Sequence, residues 1–187
     1  LRLVGSEMCI RDSTKGALTA VKQIAEMKVD VPMLAMTHCD AAKLSKQHGK
    51  KAEYALCASQ WHKTLSYTDA FFKDGMTYDA DFKKAFGYAP PYQAAESSAA
   101  LLVFKDAFER ANDFDTKKVR NALAKTDMQT FYGNIKFAKG GQNVSKPMVL
   151  FQVICNSDGS KCENKVVAPT KWASAKLVHP TPSWSKR

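Results

Sequence analysis

Residues 14–59 read TKGALTAVKQIAEMKVDVPMLAMTHCDAAKLSKQHGKKAEYALCAS, and the order of patterns inside this stretch decides the fold class. Leu18, Val21 and Ala25 fall on one face at helical spacing with Ala17 and Ile24 beside them, which predicts an amphipathic helix over 14–27, broken before Pro32. Met33-Leu34-Ala35-Met36 is a short continuous apolar run, the pattern of a parallel strand covered on both faces. Asp40 is placed to cap a helix over 41–48, with Gly49 as its left-handed terminator. Residues 54–59 then read as a second buried strand. Helix, strand, helix, strand is the rhythm of a parallel α/β layer.

Composition agrees with a globular chain. The 187 residues carry a net charge of +10, with 45% apolar and 25% charged residues, which is ordinary for one soluble domain. No run approaches the roughly 18 consecutive apolar residues of a membrane span, and large apolar side chains are too common for a chain disordered throughout. Roughly 70% of the unfolded surface can be buried at this length. Residues 1–13 are set aside, because Arg2 to Ser13 resembles a translated sequencing adapter. Its two basic and two acidic residues cancel, so the charge stays at +10. The natural N-terminus is then absent, and the lack of a signal peptide carries no information on location.

Downstream, residues 62–75 form an aromatic- and Lys-rich loop, and a helix over 78–86 stops at Gly87. Pro90-Pro91 opens the longest helix, over 92–111, where Ala95, Ala99, Leu102 and Ala107 suit close packing. Asp115 reads as the N-cap of a helix through Lys125, with Val119, Ala122 and Leu123 inward. The period then changes to two over Phe131, Gly133, Ile135 and Phe137, and residues 139–143 form a turn. A strand over 148–155 follows, then a hairpin turn at Asn156-Ser157-Asp158-Gly159 leading back into Val166-Val167, and a Pro- and Ser-rich tail from Pro169 that wraps a surface.

Several residues could carry chemistry. Cys155 and Cys162 flank the hairpin turn and would face each other across it. Either a disulfide or two free thiols fits, and a bridge would imply an oxidising compartment. Cys39 and Cys57, next to apolar strands, read as inert buried thiols. The loop Thr37-His38-Cys39-Asp40 follows a strand and precedes a helix, where open α/β sheets bind ligands. A Cys39-dependent hydrolase is the enzymatic alternative, but adjacent His38 and Cys39 seldom face each other and no motif supports it, so no catalytic residue is assigned. His38, Cys39, Asp40, His48 and His62 have no metal-ligand spacing, and no metal or cofactor is expected. The basic sets Lys43, Lys46, Lys50 and Lys51, Lys83 and Lys84, and Lys117, Lys118 and Arg120 suit solvated helix faces and not a nucleic-acid footprint. Trp61, at the end of the second strand, and Tyr92, at the start of the long helix, are candidates either for a cleft or for the core.

A family resemblance is carried by Ser59-Gln60-Trp61, by Pro90-Pro91-Tyr92-Gln93-Ala94-Ala95-Glu96-Ser97, by Val119-Arg120-Asn121-Ala122-Leu123 and by Phe131-Tyr132-Gly133-Asn134-Ile135-Lys136-Phe137. Gly141-Gln142-Asn143, Lys146-Pro147-Met148 with Gln152-Val153, and Val166-Val167-Ala168-Pro169 continue it in order. Together they resemble the C-terminal half of the substrate-binding proteins of branched-chain amino-acid type ABC uptake transporters. The resemblance implies an incomplete type I periplasmic binding protein fold, α/β in class, whose two lobes are joined by three crossovers and close on a small ligand. Residues 14–61 would belong to the second lobe, 62–145 would return to the first, and 146–187 would cross back and end in the tail. The first lobe's strands would be missing, so helices 78–86 and 92–111 would lack a surface to pack on. Thr37 falls where amino-acid binders of the family carry an acid, with Asp40 the nearest carboxylate, so an amino acid leads and an amide, urea or other small polar metabolite follows. Trp61 and Tyr92 would stack on it. The implied partner is a membrane permease and the implied location periplasmic. A receptor ectodomain of the same fold is the alternative.

Overall fold

The computed structural model describes residues 14–37 and 41–186. The adapter reading over 1–13 and the expectations placed on His38, Cys39 and Asp40 fall outside these residues. In chain order the elements are α1 (Thr14–Glu26), β1 (Ala35–Met36), α2 (Ala41–His48), β2 (Leu56–Ser59), β3 (Thr68–Asp69), β4 (Lys73–Asp74), α3 (Gly75–Phe86), α4 (Tyr92–Ala111), α5 (Thr116–Leu123), β5 (Asp127–Thr130), β6 (Gly133–Lys136), β7 (Val149–Cys155) and β8 (Cys162–Ala168). Two compact units divide the chain at Ser59/Gln60 and at Met148/Val149.

The first unit is built on a sheet of order β1-β2-β7-β8. Only β1 and β2 run parallel. The expected parallel layer is thus a mixed sheet, because β7 and β8 form a hairpin and β7 pairs antiparallel with β2, from Leu56↔Gln152 to Ser59↔Val149. The inward row of α1 is Ala17, Ala20 and Val21, while Leu18 and Ala25 stay partly open. Leu44 of α2 is fully buried, and Ser45 Oγ donates to Asn164 Oδ1 on β8 at 2.9 Å.

Gln152 is the one amide wholly enclosed in this sheet, and its bonds explain the path of the tail. Its Nε2 donates to Tyr54 O at 3.2 Å and Val178 O at 3.1 Å, and its Oε1 accepts from Val178 N at 2.9 Å. A buried amide must be paired or it costs stability, so the tail supplies what the sheet lacks. Farther along, Thr181 N donates to Pro32 O and Trp184 Nε1 to Val29 O, strapping the tail along the segment after α1.

The second unit centres on aromatic rings. Phe131 is fully buried, stacked on Tyr78 at 4.3 Å between centroids and flanked by Phe72 at 5.0 Å and Trp61 at 6.1 Å. Asp69 organises the chain around them: its carboxylate accepts from the backbone N–H groups of Phe71, Phe72 and Phe131 at 2.6 to 2.8 Å. The sequence shows this region only as a loop; the structure adds the hairpin β3–β4. Helix α3 starts at Gly75, ahead of the expected Tyr78, because Asp74 caps it by accepting from Thr77 N at 2.8 Å. Helix α5 stops at Leu123, short of Lys125. In α4, Ala95, Ala99, Val103 and Ala107 form a buried stripe, and α5 packs beside it through Val119 and Ala122. On its other face Leu101, Phe104 and Phe108 are exposed, as is Phe114 beyond its end.

Candidate functional site

Thr37 follows β1 directly in the first unit and is exposed. Its neighbours His38 and Asp40 are outside the described residues. Trp61 and Tyr92 belong to the second unit. The sequence treats these two aromatics alike, and the structure separates them. Trp61 is 5% exposed, with its ring edge-on to Tyr78 and Phe131 at 5.8 and 6.1 Å. It is packed into the second unit's core rather than projecting from a strand end, with the Tyr78 and Phe131 rings against it. Tyr92 stays half-buried in the first turn of α4, after Pro91 has set the helix start.

Around Tyr92 lies a polar group that sequence reasoning does not isolate: Glu96, Tyr132 and Lys146. Tyr132 is buried in the two-residue turn between β5 and β6. Burial pushes its phenol well above the usual tyrosine range, and the nearby charges of Glu96 and Tyr92 push the same way. The Lys146 ammonium lies 4.2 Å from the centre of the Tyr132 ring and donates to Gln60 O. Burial lowers the Lys146 pKa to about 8, against an opposing pull from Glu96. The lysine stem occupies the space a side chain would take at Gly133, whose φ of +147° also favours glycine. The alternation over 131–137 locates the hairpin, but no sequence signal pairs Gly133 with Lys146.

A second polar group surrounds His62. Desolvation, helped by the charge of Lys63, lowers its pKa to about 4, while Asp79 opposes this. His62 Nδ1 and Thr64 Oγ1 are hydrogen-bonded at 2.7 Å. The Asp79 carboxylate accepts from Lys63 at 3.0 Å and Lys83 at 2.7 Å. Burial alone would raise its pKa, yet those two ammonium groups hold it below the ordinary range. A cavity of about 530 Å³ also opens in this unit, where Glu96, Val103 and Phe104 of α4 face Leu123, Tyr132 and Ile135.

Cysteine chemistry is confined to disulfides where it is visible. Cys155 and Cys162 are bridged, with S–S 2.02 Å and Cα atoms 3.9 Å apart, joining directly opposed positions of β7 and β8. Cys57 is disulfide-bonded as well, which corrects its reading as an inert thiol. Among the described residues no group of three or more His, Cys, Asp or Glu is placed to hold a metal ion, and no helix is long and apolar enough to cross a membrane.

The fold is that of an α/β chain of the type I periplasmic binding class, present in part. The sequence profile of the family described as "Periplasmic binding protein" matches residues 11–160, and the chain belongs to that family. Solved structures agree on the fold. A leucine-binding protein, LivK, from Thermotoga maritima superposes with TM-score 0.66 at 20% identity, over 85% of this chain and 43% of that one. A putative branched-chain amino acid ABC transporter protein from Silicibacter pomeroyi gives 0.65 at 15% identity, over 90% and 45%. The substrate-binding protein LivJ from Streptococcus pneumoniae, in complex with isoleucine, gives 0.60 at 15% identity, over 82% and 42%. The chain therefore spans less than half the length of each of these structures.

Proposed function

We propose that this chain is part of an extracytoplasmic solute-binding component of an ABC transporter, which captures an amino acid or a related small polar metabolite by closure of two lobes. Family membership over residues 11–160 carries the reading. Exposed Thr37 beyond β1, followed by His38 and Asp40, and Tyr92 at the head of α4 are the residues assigned to the ligand. Trp61 is buried against Tyr78 and Phe131 and is not assigned a stacking role. The disulfides of Cys57 and of Cys155–Cys162 favour an oxidising compartment such as the periplasm. The proposed partner is a membrane permease that reads the closed form, and no reaction is assigned.

Enclosure on two sides desolvates a ligand and strengthens each polar contact to it. Micromolar capture corresponds to about −8 kcal/mol, and one wall supplies only part of that. Calorimetry against leucine, isoleucine, valine and small amides should give micromolar binding to the intact gene product and nothing tighter than millimolar to this chain alone. Micromolar binding by this chain alone contradicts the two-lobe enclosure. Failure of the intact product to bind any of them contradicts the ligand class.

A further inference from the structure

The chain passes between the two units twice, at Ser59/Gln60 and at Met148/Val149. These crossings are neighbours in the first unit, because the β2–β7 ladder runs up to the pair Ser59↔Val149. On the other side, Gln60 is the first residue of the second unit and Lys146 lies just before its end. The Lys146 ammonium is bound to the Gln60 carbonyl there, over the Tyr132 ring, with its stem in the gap left by Gly133. Two consecutive devices thus hold the crossings together, a β-ladder in the first unit and a single charged side chain in the second.

We propose that Lys146 is a clasp that couples the two crossings, so that they act as one paired ribbon and not as two independent linkers. Independent linkers let the joined bodies twist and slide. Paired linkers cannot move separately, and closure of a two-lobe trap draws on such linker segments. The functional consequence rests on the closure reading above; the coupling itself does not. Lys146 is a positioning residue in this role, with no contact to the solute required.

Lys146→Met retains an unbranched stem for the Gly133 gap and removes the ammonium, while Lys146→Arg retains a cationic donor. Amide hydrogen exchange of this chain, read by mass spectrometry, should show roughly tenfold faster exchange in peptides covering Ser59–Trp61 and Lys146–Leu150 for Lys146→Met. Peptides from α4 and from β1 should keep wild-type rates, and Lys146→Arg should preserve most of the protection. Unchanged exchange at both crossings in Lys146→Met overturns the clasp. So does faster exchange across the whole second unit, which would make Lys146 a general core residue, or equal loss in the Arg variant. In the intact gene product, Lys146→Met should weaken solute binding several-fold. If the wild-type product binds no amino acid or amide, the closure reading fails while the exchange result stands.

Discussion

Replacing Gly133 by Ala tests the closest packing in the second unit. The backbone there sits at φ +147°, a region open almost only to glycine, and holding an L-residue in it costs about 1–3 kcal/mol. The new Cβ would also collide with Cγ, Cδ and Cε of Lys146. To relieve the collision the lysine must leave the Tyr132 ring and the Gln60 carbonyl. A charge-assisted hydrogen bond contributes about 1.5–3 kcal/mol, so Gly133→Ala should cost about 2.5–6 kcal/mol in all. The collision and the backbone cost separate in a double-mutant cycle. In a Lys146→Ala background the stem is gone, and Gly133→Ala should then cost only the backbone share. Gly141 serves as a control: its φ is +87° and nothing lies within 4 Å of an added Cβ. Its Ala variant should lose about 1–3 kcal/mol whether or not Lys146 is present. Urea unfolding followed by fluorescence of the buried Trp61 supplies the free energies. An equal cost for Gly133→Ala in both backgrounds would refute the reasoning, since it would mean that the lysine stem does not occupy the glycine gap.

Three further outcomes are expected. Gln152→Ala should cost about 2–4 kcal/mol, by removing a donor from Tyr54 O and the Gln152 partner of both backbone groups of Val178; limited proteolysis should then cut within residues 175–186 while the β2–β7 ladder stays protected. His62 has a folded pKa of about 4 against 6.5 unfolded. The unfolded chain therefore binds the extra proton between those values, and stability should fall as pH drops from about 6.5 to 4, by at most about 3 kcal/mol. Asp79, whose pKa is lowered from 3.8, adds a further loss below that range, as the pH falls toward its folded value. An NMR titration of His62 midway near pH 6.5 would contradict its burial, and His62→Gln should flatten the upper part of the profile. Cys155→Ser should lower stability by about 2–3 kcal/mol, because the bridge closes a short loop, and dithiothreitol should act less on the variant than on the wild type.

The local elements were legible because their causes are local. Asp115 caps α5 through a hydrogen bond from the backbone N–H three residues on, Gly87 ends α3 in a left-handed conformation, and turn residues between Cys155 and Cys162 set a hairpin. Each of these depends on neighbours in the chain, so spacing and residue type suffice. The ordered motifs from Ser59 to Pro169 fixed the family in the same way.

Partners distant in sequence were decided by the tertiary structure. Strand β7 pairs with β2 across the whole second unit, which turned an expected parallel layer into a mixed sheet. Trp61 and Tyr92 look equivalent as isolated aromatics; only the closure of Tyr78 and Phe131 sends one into the core and leaves the other at the surface of a helix start. Lys146 meets Gly133, Tyr132 and Gln60 through contacts that no periodicity encodes. A repeating pattern records which face of an element is apolar, whereas which faces meet depends on the path of the whole chain.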